Sequence, residues 1–252
     1  EMATGTRLTT SYTRVGGLMR DLPDAFDKAV ARVLDQVDDV VKDTETLLNK
    51  NRIWHDRTKE VGVVSKEDAI SYGLSGPMAR ASGIDWDIRV KEPYSGYEDF
   101  DFDVVIALNG DVFDRYLVRM EEIRQSVKIC REALGKMPPG EVNVDPGLGF
   151  SLPPKDEVYN SIEGLIYHFE VTMPNRGMTP PIGEAYVPTE SPNGELGFYI
   201  VSDGTRTPYR VRTRPPSFMN YSIFSKLVVG HMLSDVPAIL GSFNIIAGEL
   251  DR

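Results

Sequence analysis

The sequence predicts an α+β fold, mainly α: a long-helix bundle, then a small antiparallel sheet, then short C-terminal helices. Three observations carry this. Apolar residues recur at helical spacing through two long segments. That period gives way to strand-like alternation after residue 183. Paired prolines punctuate the chain at 138–139, 153–154, 180–181 and 215–216. The expected organisation is a helical bundle over 1–182, a small sheet over 183–214, and C-terminal helices over 215–252 whose tail returns to the bundle.

Leu22, Pro23 and Asp24 make a helix-start signal. Phe26, Val30, Val33, Val37, Val40 and Leu47 then follow at helical spacing and predict a long amphipathic helix with that stripe in the core. Ser65 with Asp68 reads as a capping box for a short helix that Gly73 ends. Gly76 and Pro77 open another short element. From Ile84 to Asp103 the period fails, and Pro93, Ser95 and Gly96 mark an extended loop. A second long helix starts near Asp111, with Phe113, Leu117, Met120, Ile123, Val127, Cys130 and Leu134 on one stripe. Cys130 on that stripe predicts a buried structural thiol. Asp111 and Arg115 are spaced to pair on the outer face. Pro138, Pro139 and Gly140 stop the helix. Pro153 and Pro154 start a third helix carrying Val158, Ile162, Leu165, Ile166 and Phe169, with His168 near its end.

After the Pro180, Pro181 and Gly183 linker, Leu196, Phe198 and Ile200 alternate with their neighbours. Tyr209, Val211 and Thr213 alternate with Arg210, Arg212 and Arg214. The turn pairs Asn193-Gly194 and Asp203-Gly204 flank the middle strand. The expectation is about three strands, one face basic. Short helices near Phe218 to Val229 and Ser234 to Leu240 close the fold.

Composition narrows the function. The 252 residues are 41% hydrophobic and 26% charged, which suits a globular protein with a real core. No apolar run approaches the ~18 residues of a membrane span. The net charge of -10 disfavours nucleic-acid binding. Asp35, Asp38, Asp39 and Asp43, then Glu98, Asp99, Asp101 and Asp103, form acidic clusters. They read as solvated faces, with partner docking as the alternative. Cys130 is the single cysteine and His55, His168 and His231 lie far apart, so a metal site built by this chain alone is not expected. The chain starts at Glu1, which reads as a cut end.

No catalytic constellation is complete. Walker A, Gly-x-Ser-x-Gly and Gly-x-Gly-x-x-Gly patterns are missing, and Pro146 to Gly149 is too short a glycine stretch to cradle a dinucleotide. The final run is unusual. Ile245, Ile246 and Ala247 precede Gly248, Glu249, Leu250, Asp251 and Arg252. An apolar run so close to the end predicts a buried tail, with Glu249, Asp251 and Arg252 needing partners.

Several runs resemble one family. They are Thr4 to Arg7, Arg14 to Gly17 with Asp21 to Pro23, Gly62 to Val64, Leu74 to Pro77, Arg80 to Gly83, Tyr94 to Glu98, Gly110 to Arg115, Met137 to Gly140, Pro192 to Gly197 and Gly248 to Arg252. Together, and in this order, they resemble the hydrogenase-like large subunit of respiratory complex I. The resemblance implies a nickel–iron hydrogenase large-subunit-like fold. It also implies a subunit that is inactive alone but works in a proton-translocating NADH:quinone oxidoreductase. Its partners would be an iron–sulfur small subunit, a C-subunit-like polypeptide and a membrane-embedded quinone-channel subunit, at the cytoplasmic face of the bacterial inner membrane or its matrix or stromal equivalent. Quinone would be the substrate, and the iron–sulfur cluster would belong to the neighbour.

In the related hydrogenases two cysteines near the C-terminus bind metal. The matching positions here are Ile246 and Glu249, so a thiolate-bound nickel cannot form. A vacated, partly apolar cavity remains for a quinone ring. The residues implied to line it are Leu8, Thr9, Ile246, Glu249 and Arg252, with Leu8 and Ile246 as apolar walls and Glu249 paired with Arg252. No residue of this chain is implied to be catalytic in itself or to bind metal. The family's Gly-Pro-Gln-His-Pro loop is missing. Thr9 stands where the family has a histidine and cannot take up a proton near neutral pH as one can. Asn244 stands where the family usually has Asp. The alternatives are a non-catalytic scaffold, or the same subunit in a membrane-bound dehydrogenase with another electron donor.

Overall fold

In a computed structural model the described residues are 1–14, 16–143, 152–173 and 179–251. The mixed α and β character is present, with helices predominating. The chain divides into two compact units.

The first unit holds residues 1–31, 137–185 and 200–211. The two-residue strands β1 (Thr13–Arg14) and β2 (Gly17–Leu18) pair antiparallel. Gly17 runs so close to Val142 that a Cβ there would stand 2.2 Å from its carbonyl oxygen. The predicted third helix is broken in two. One piece spans Lys155–Asn160 and the next Ile162–Thr172, because Ser161 turns extended and its Oγ accepts from Gly164 N. Gly164 lets the two pieces touch, since a Cβ would lie 2.6 Å from Glu157 O.

The second unit holds residues 32–136, 186–199 and 212–252. The long helix α1 (Phe26–Leu48) enters it, but its buried side is turned from the expected stripe. Leu34 and Val41 are buried, whereas Val33, Val40 and Leu47 are exposed. Next come α2 (Arg52–Thr58), α3 (Lys66–Ser71), α4 (Pro77–Arg80), α5 (Ile88–Lys91) and the long α6 (Val112–Lys136). Ser65 Oγ accepts from Asp68 N and caps α3, but the expected capping box is only half formed, because the Asp68 carboxylate accepts from Lys226 Nζ.

Asp111 and Arg115 do not pair on an outer face. Both are buried. Asp111 accepts from Asp114 N at the start of α6 and from Glu60 N, while Arg115 donates to Gly62 O, Gly110 O and Ser242 Oγ. Burial without a carboxylate within salt-bridge reach lowers the Arg115 guanidinium to about 10. Cys130 is exposed, not a core thiol, because the α6 face it occupies borders a cleft. Three residues of the acidic clusters hold cations of α6. Asp35 and Asp38 grip Arg131, and Asp101 grips Lys128.

The lone three-stranded sheet among the described residues runs β3 (Gly183–Ser191), β4 (Gly194–Ser202), β5 (Arg210–Arg214) in that spatial order. Of its arginines, Arg210 and Arg212 are exposed, whereas Arg214 turns inward to Glu195 O and Gly73 O. Four short helices follow, at Pro216–Tyr221, Phe224–Leu227, Val236–Phe243 and Ala247–Leu250, the first and third with a proline in their first turn. They pack a core of Val61, Val64, Leu74, Met78, Val112, Ile223, Leu227, Ile239 and Phe243.

Candidate functional site

The C-terminal tail is anchored to the helix at Pro216–Tyr221. Asn244 ends the helix at Val236–Phe243 in the left-handed region, at φ 56°. The chain then leaves as the tail. Ile246 N donates to Ser217 Oγ at 3.3 Å. The Glu249 carboxylate accepts from Ser217 N at 3.2 Å and from the Ser217 hydroxyl. One serine therefore fixes both Ile246 and Glu249.

The tail is less buried than its apolar run predicts. Ile245 packs against the core, but Ile246 is exposed and Glu249 half-buried. The side chains are held at a surface, because the anchor is a main-chain and hydroxyl contact and not a sealed apolar socket. Arg252, the expected partner of Glu249, lies outside the described residues. Leu8 and Thr9 belong to the first unit, both exposed, with Thr9 O accepting from Thr6 Oγ1 at 3.2 Å. The structure thus brings Ile246 and Glu249 together, and it describes Leu8 and Thr9 only within their own unit.

A second feature is a cleft of about 630 Å3 in the second unit, with Leu34, Val37, Ile123 and Val127 on its apolar side. Its polar side is a charge cluster around Arg80, which is 2% exposed. Arg80 meets Glu122 Oε1 at 2.8 Å, Glu190 Oε1 at 2.8 Å and Asp87 Oδ2 at 3.6 Å. Arg89 closes on Asp87 at 2.6 Å and lies over the Phe102 ring. With Arg119, which also lines the cleft, three guanidiniums face three carboxylates.

The cluster sets distinct proton affinities. Burial opposes the Asp87 charge, yet hydrogen bonds from Arg89 and attraction to Arg80 hold its carboxyl below the usual range. Burial raises Glu190, and Asp87 adds to that, so attraction to Arg80 does not bring it back. Arg80 itself is raised: burial opposes its charge, but its three carboxylates prevail. The opposite balance in the Arg80–Glu190 pair follows from this geometry: Arg80 is attracted by three carboxylates, whereas burial of Glu190 and the like charge of Asp87 outweigh its attraction to Arg80 and Arg89. Burial lowers Arg119. No set of three or more metal-ligating side chains is grouped among the described residues.

A sequence-family profile described as "Respiratory-chain NADH dehydrogenase, 49 Kd subunit" matches residues 1–252. The chain belongs to that family. It is 50% identical to the NADH-quinone oxidoreductase D-subunit of Geotalea uraniireducens over 253 residues, covering 100% of this chain and 64% of that protein. Against the D-subunit of Methylacidiphilum infernorum it is 52% identical over 252 residues, covering 100% and 60%. Against that of Wolbachia pipientis it is 44% identical, covering 100% and 64%. The chain therefore spans a little under two thirds of the length of these relatives.

The expectations for this 49-kDa-family chain placed Ile246 and Glu249 at a site but missed what holds them. Ser217, Asn220, Arg119 and the Arg80 cluster carry no local pattern that assigns them a role, and Asn193 was marked only as half of a turn pair. The nearest signal was the run from Arg80 to Gly83, which marked the family and not a role.

Proposed function

We propose that this chain is part of a proton-translocating NADH:quinone oxidoreductase and forms one wall of its quinone-reduction chamber. It would act only inside the assembly, beside an iron–sulfur cluster carried by a neighbouring subunit. The expected neighbours are that small subunit, a C-subunit-like polypeptide and a membrane-embedded quinone-channel subunit. Among the described residues no helix is long and apolar enough to cross a membrane. That accords with a peripheral position, which we assign to the cytoplasmic face. The residues proposed to line the chamber are Leu8, Thr9, Ile246, Glu249 and Arg252.

The observation that carries the proposal is the tail. Ser217 holds Ile246 and Glu249 side by side, and the family resemblance implies that these two match the positions at which the related hydrogenases hold metal through cysteine. An isoleucine and a serine-anchored carboxylate cannot do that, but they can border a ring with polar oxygens. The test is Ile246→Phe in the intact membrane-bound complex. The bulk should raise the Michaelis constant for quinone several-fold and shift sensitivity to chamber-blocking inhibitors. NADH:ferricyanide reduction, which bypasses the chamber, should stay the same. An unchanged quinone Michaelis constant and unchanged inhibitor sensitivity would remove Ile246 from the wall. The scaffold reading keeps one observation in its favour, the exposed Arg210 and Arg212. It predicts that charge reversal there abolishes assembly and not turnover.

A further inference from the structure

We propose that Asn193 and Asn220 are positioning residues that set where the C-terminal tail presents Ile246 and Glu249, and hence how tightly quinone is held; this rests on the chamber reading above. The tail departs from a connected set of hydrogen bonds. Asn244, its first residue, donates through Nδ2 to Asn193 Oδ1 at 2.7 Å. Asn193 lies in the turn between β3 and β4 and is 2% exposed. Its main-chain carbonyl accepts from Asn220 Nδ2 at 3.0 Å. Asn220 is fully buried on the helix at Pro216–Tyr221. One turn earlier on that helix, Ser217 holds Ile246 and Glu249. The same short helix thus fixes the tail at two places, directly through Ser217 and through the two asparagines at Asn244.

Other contacts keep the ring from opening. Asn220 Oδ1 accepts from Ser75 N at 3.3 Å, and Ser75 Oγ accepts from Glu195 N at 3.0 Å. Gly194 is needed at this crossing, because it has a φ of +132° and a Cβ there would lie 2.5 Å from Ser75 Oγ. Arg119 bridges the segments beside the two asparagines. It donates to Pro192 O on one and to Ser242 O and Phe243 O on the other, each at 3.3 Å. The carbonyls at the helix end suit a cation, since the negative end of the helix dipole lies there.

None of the asparagine links titrates near neutral pH. The asparagines themselves do not line the proposed wall, so they act through the tail. Loosening them would let Ile246 and Glu249 move without removing either. Such a change weakens ligand holding more than it alters chemistry.

The experiment uses the intact complex with Asn193→Ala, Asn244→Gly and the double variant. Glycine keeps the left-handed backbone at 244 and removes only the side chain. The readouts are kcat and the Michaelis constant with a short-chain quinone, with NADH:ferricyanide reduction as the control. Each single variant should raise the Michaelis constant roughly 3- to 10-fold with kcat largely kept, as expected for losing one neutral hydrogen bond. The double variant should be no worse than the more affected single, because both break the same bond. Fully additive effects, or an unchanged Michaelis constant while Ile246→Phe raises it, would overturn the positioning role and leave the chamber reading standing. Silence of Ile246→Phe as well would bring down both. If Asn193→Ala fails to assemble, Asn244→Gly at its exposed position carries the test alone: a raised Michaelis constant supports the role, and an unchanged one refutes it.

Discussion

Arg80 and Asn193 are equally buried in the same compact unit, and they hold their neighbours by opposite means. Arg80 gathers three carboxylates around one guanidinium, one from α6, one from β3 and one, Asp87, that caps α5. Asn193 joins Asn220 and Asn244 through neutral amides. A buried charge costs several kcal/mol to desolvate and relies on all of its partners. A buried amide costs less and loses less when one partner goes. The first arrangement should therefore be brittle towards substitution and responsive to pH. The second should tolerate change and ignore pH, which suits a device that only sets a position.

The widest separation between the two should come from removing the central cation. Arg80→Met keeps the bulk but leaves Glu122, Glu190 and Asp87 without it. The expected loss is roughly 3–5 kcal/mol, the range for breaking a buried ion pair from one side. Urea unfolding of the purified chain measures it. A loss under about 1 kcal/mol would mean that the carboxylates already take up protons or water freely, and the contrast would fail. Asn220→Ala is the counterpart on the amide side. It strands Ser75 N and one acceptor of Asn193, so about 1–3 kcal/mol is expected from the same measurement. A loss matching that of Arg80→Met would show the amide network to be equally brittle.

These two networks were also the least legible parts of the sequence. Glu122 and Glu190 lie 42 and 110 residues from Arg80, and Asn244 lies 51 from Asn193. Periodicity and capping rules see only near neighbours, and so they located α1, α6 and the cap at Ser65 but neither network. Even within a helix, period leaves the buried face open to a small rotation. In α1 the Val33, Val40 and Leu47 row satisfied the helical spacing, yet packing chose the adjacent row through Leu34 and Val41. The break at Ser161 was readable in principle, since a serine three residues before a glycine can cap, but the apolar run across it was continuous enough to suggest one helix. Family resemblance reached further and singled out Ile246 and Glu249. It could not supply Ser217, because the anchoring serine is recognised by its contact and not by its neighbours in sequence.

The subtlest contrast is in pH. Glu190 is raised by burial, so between its unfolded and folded values the native state binds more proton than the unfolded one. Stability from this group is therefore present below the unfolded value and declines as pH rises through the folded value. Asp87 is lowered, so its contribution runs the other way: present above the unfolded value and lost as pH falls through the folded one. Glu190→Gln should remove the first trend and keep the second. The urea stability of the wild-type chain relative to Glu190→Gln should then be greatest at acid pH and decline as pH rises above the ordinary carboxylate range. The slope cannot exceed about 1.4 kcal/mol per pH unit for a single group. Asn193→Ala, measured over the same range, should differ from wild type by a constant amount, because neither of its partners titrates there. A flat difference for Glu190→Gln, or a sloping one for Asn193→Ala, would exchange the roles assigned to the charged and neutral networks.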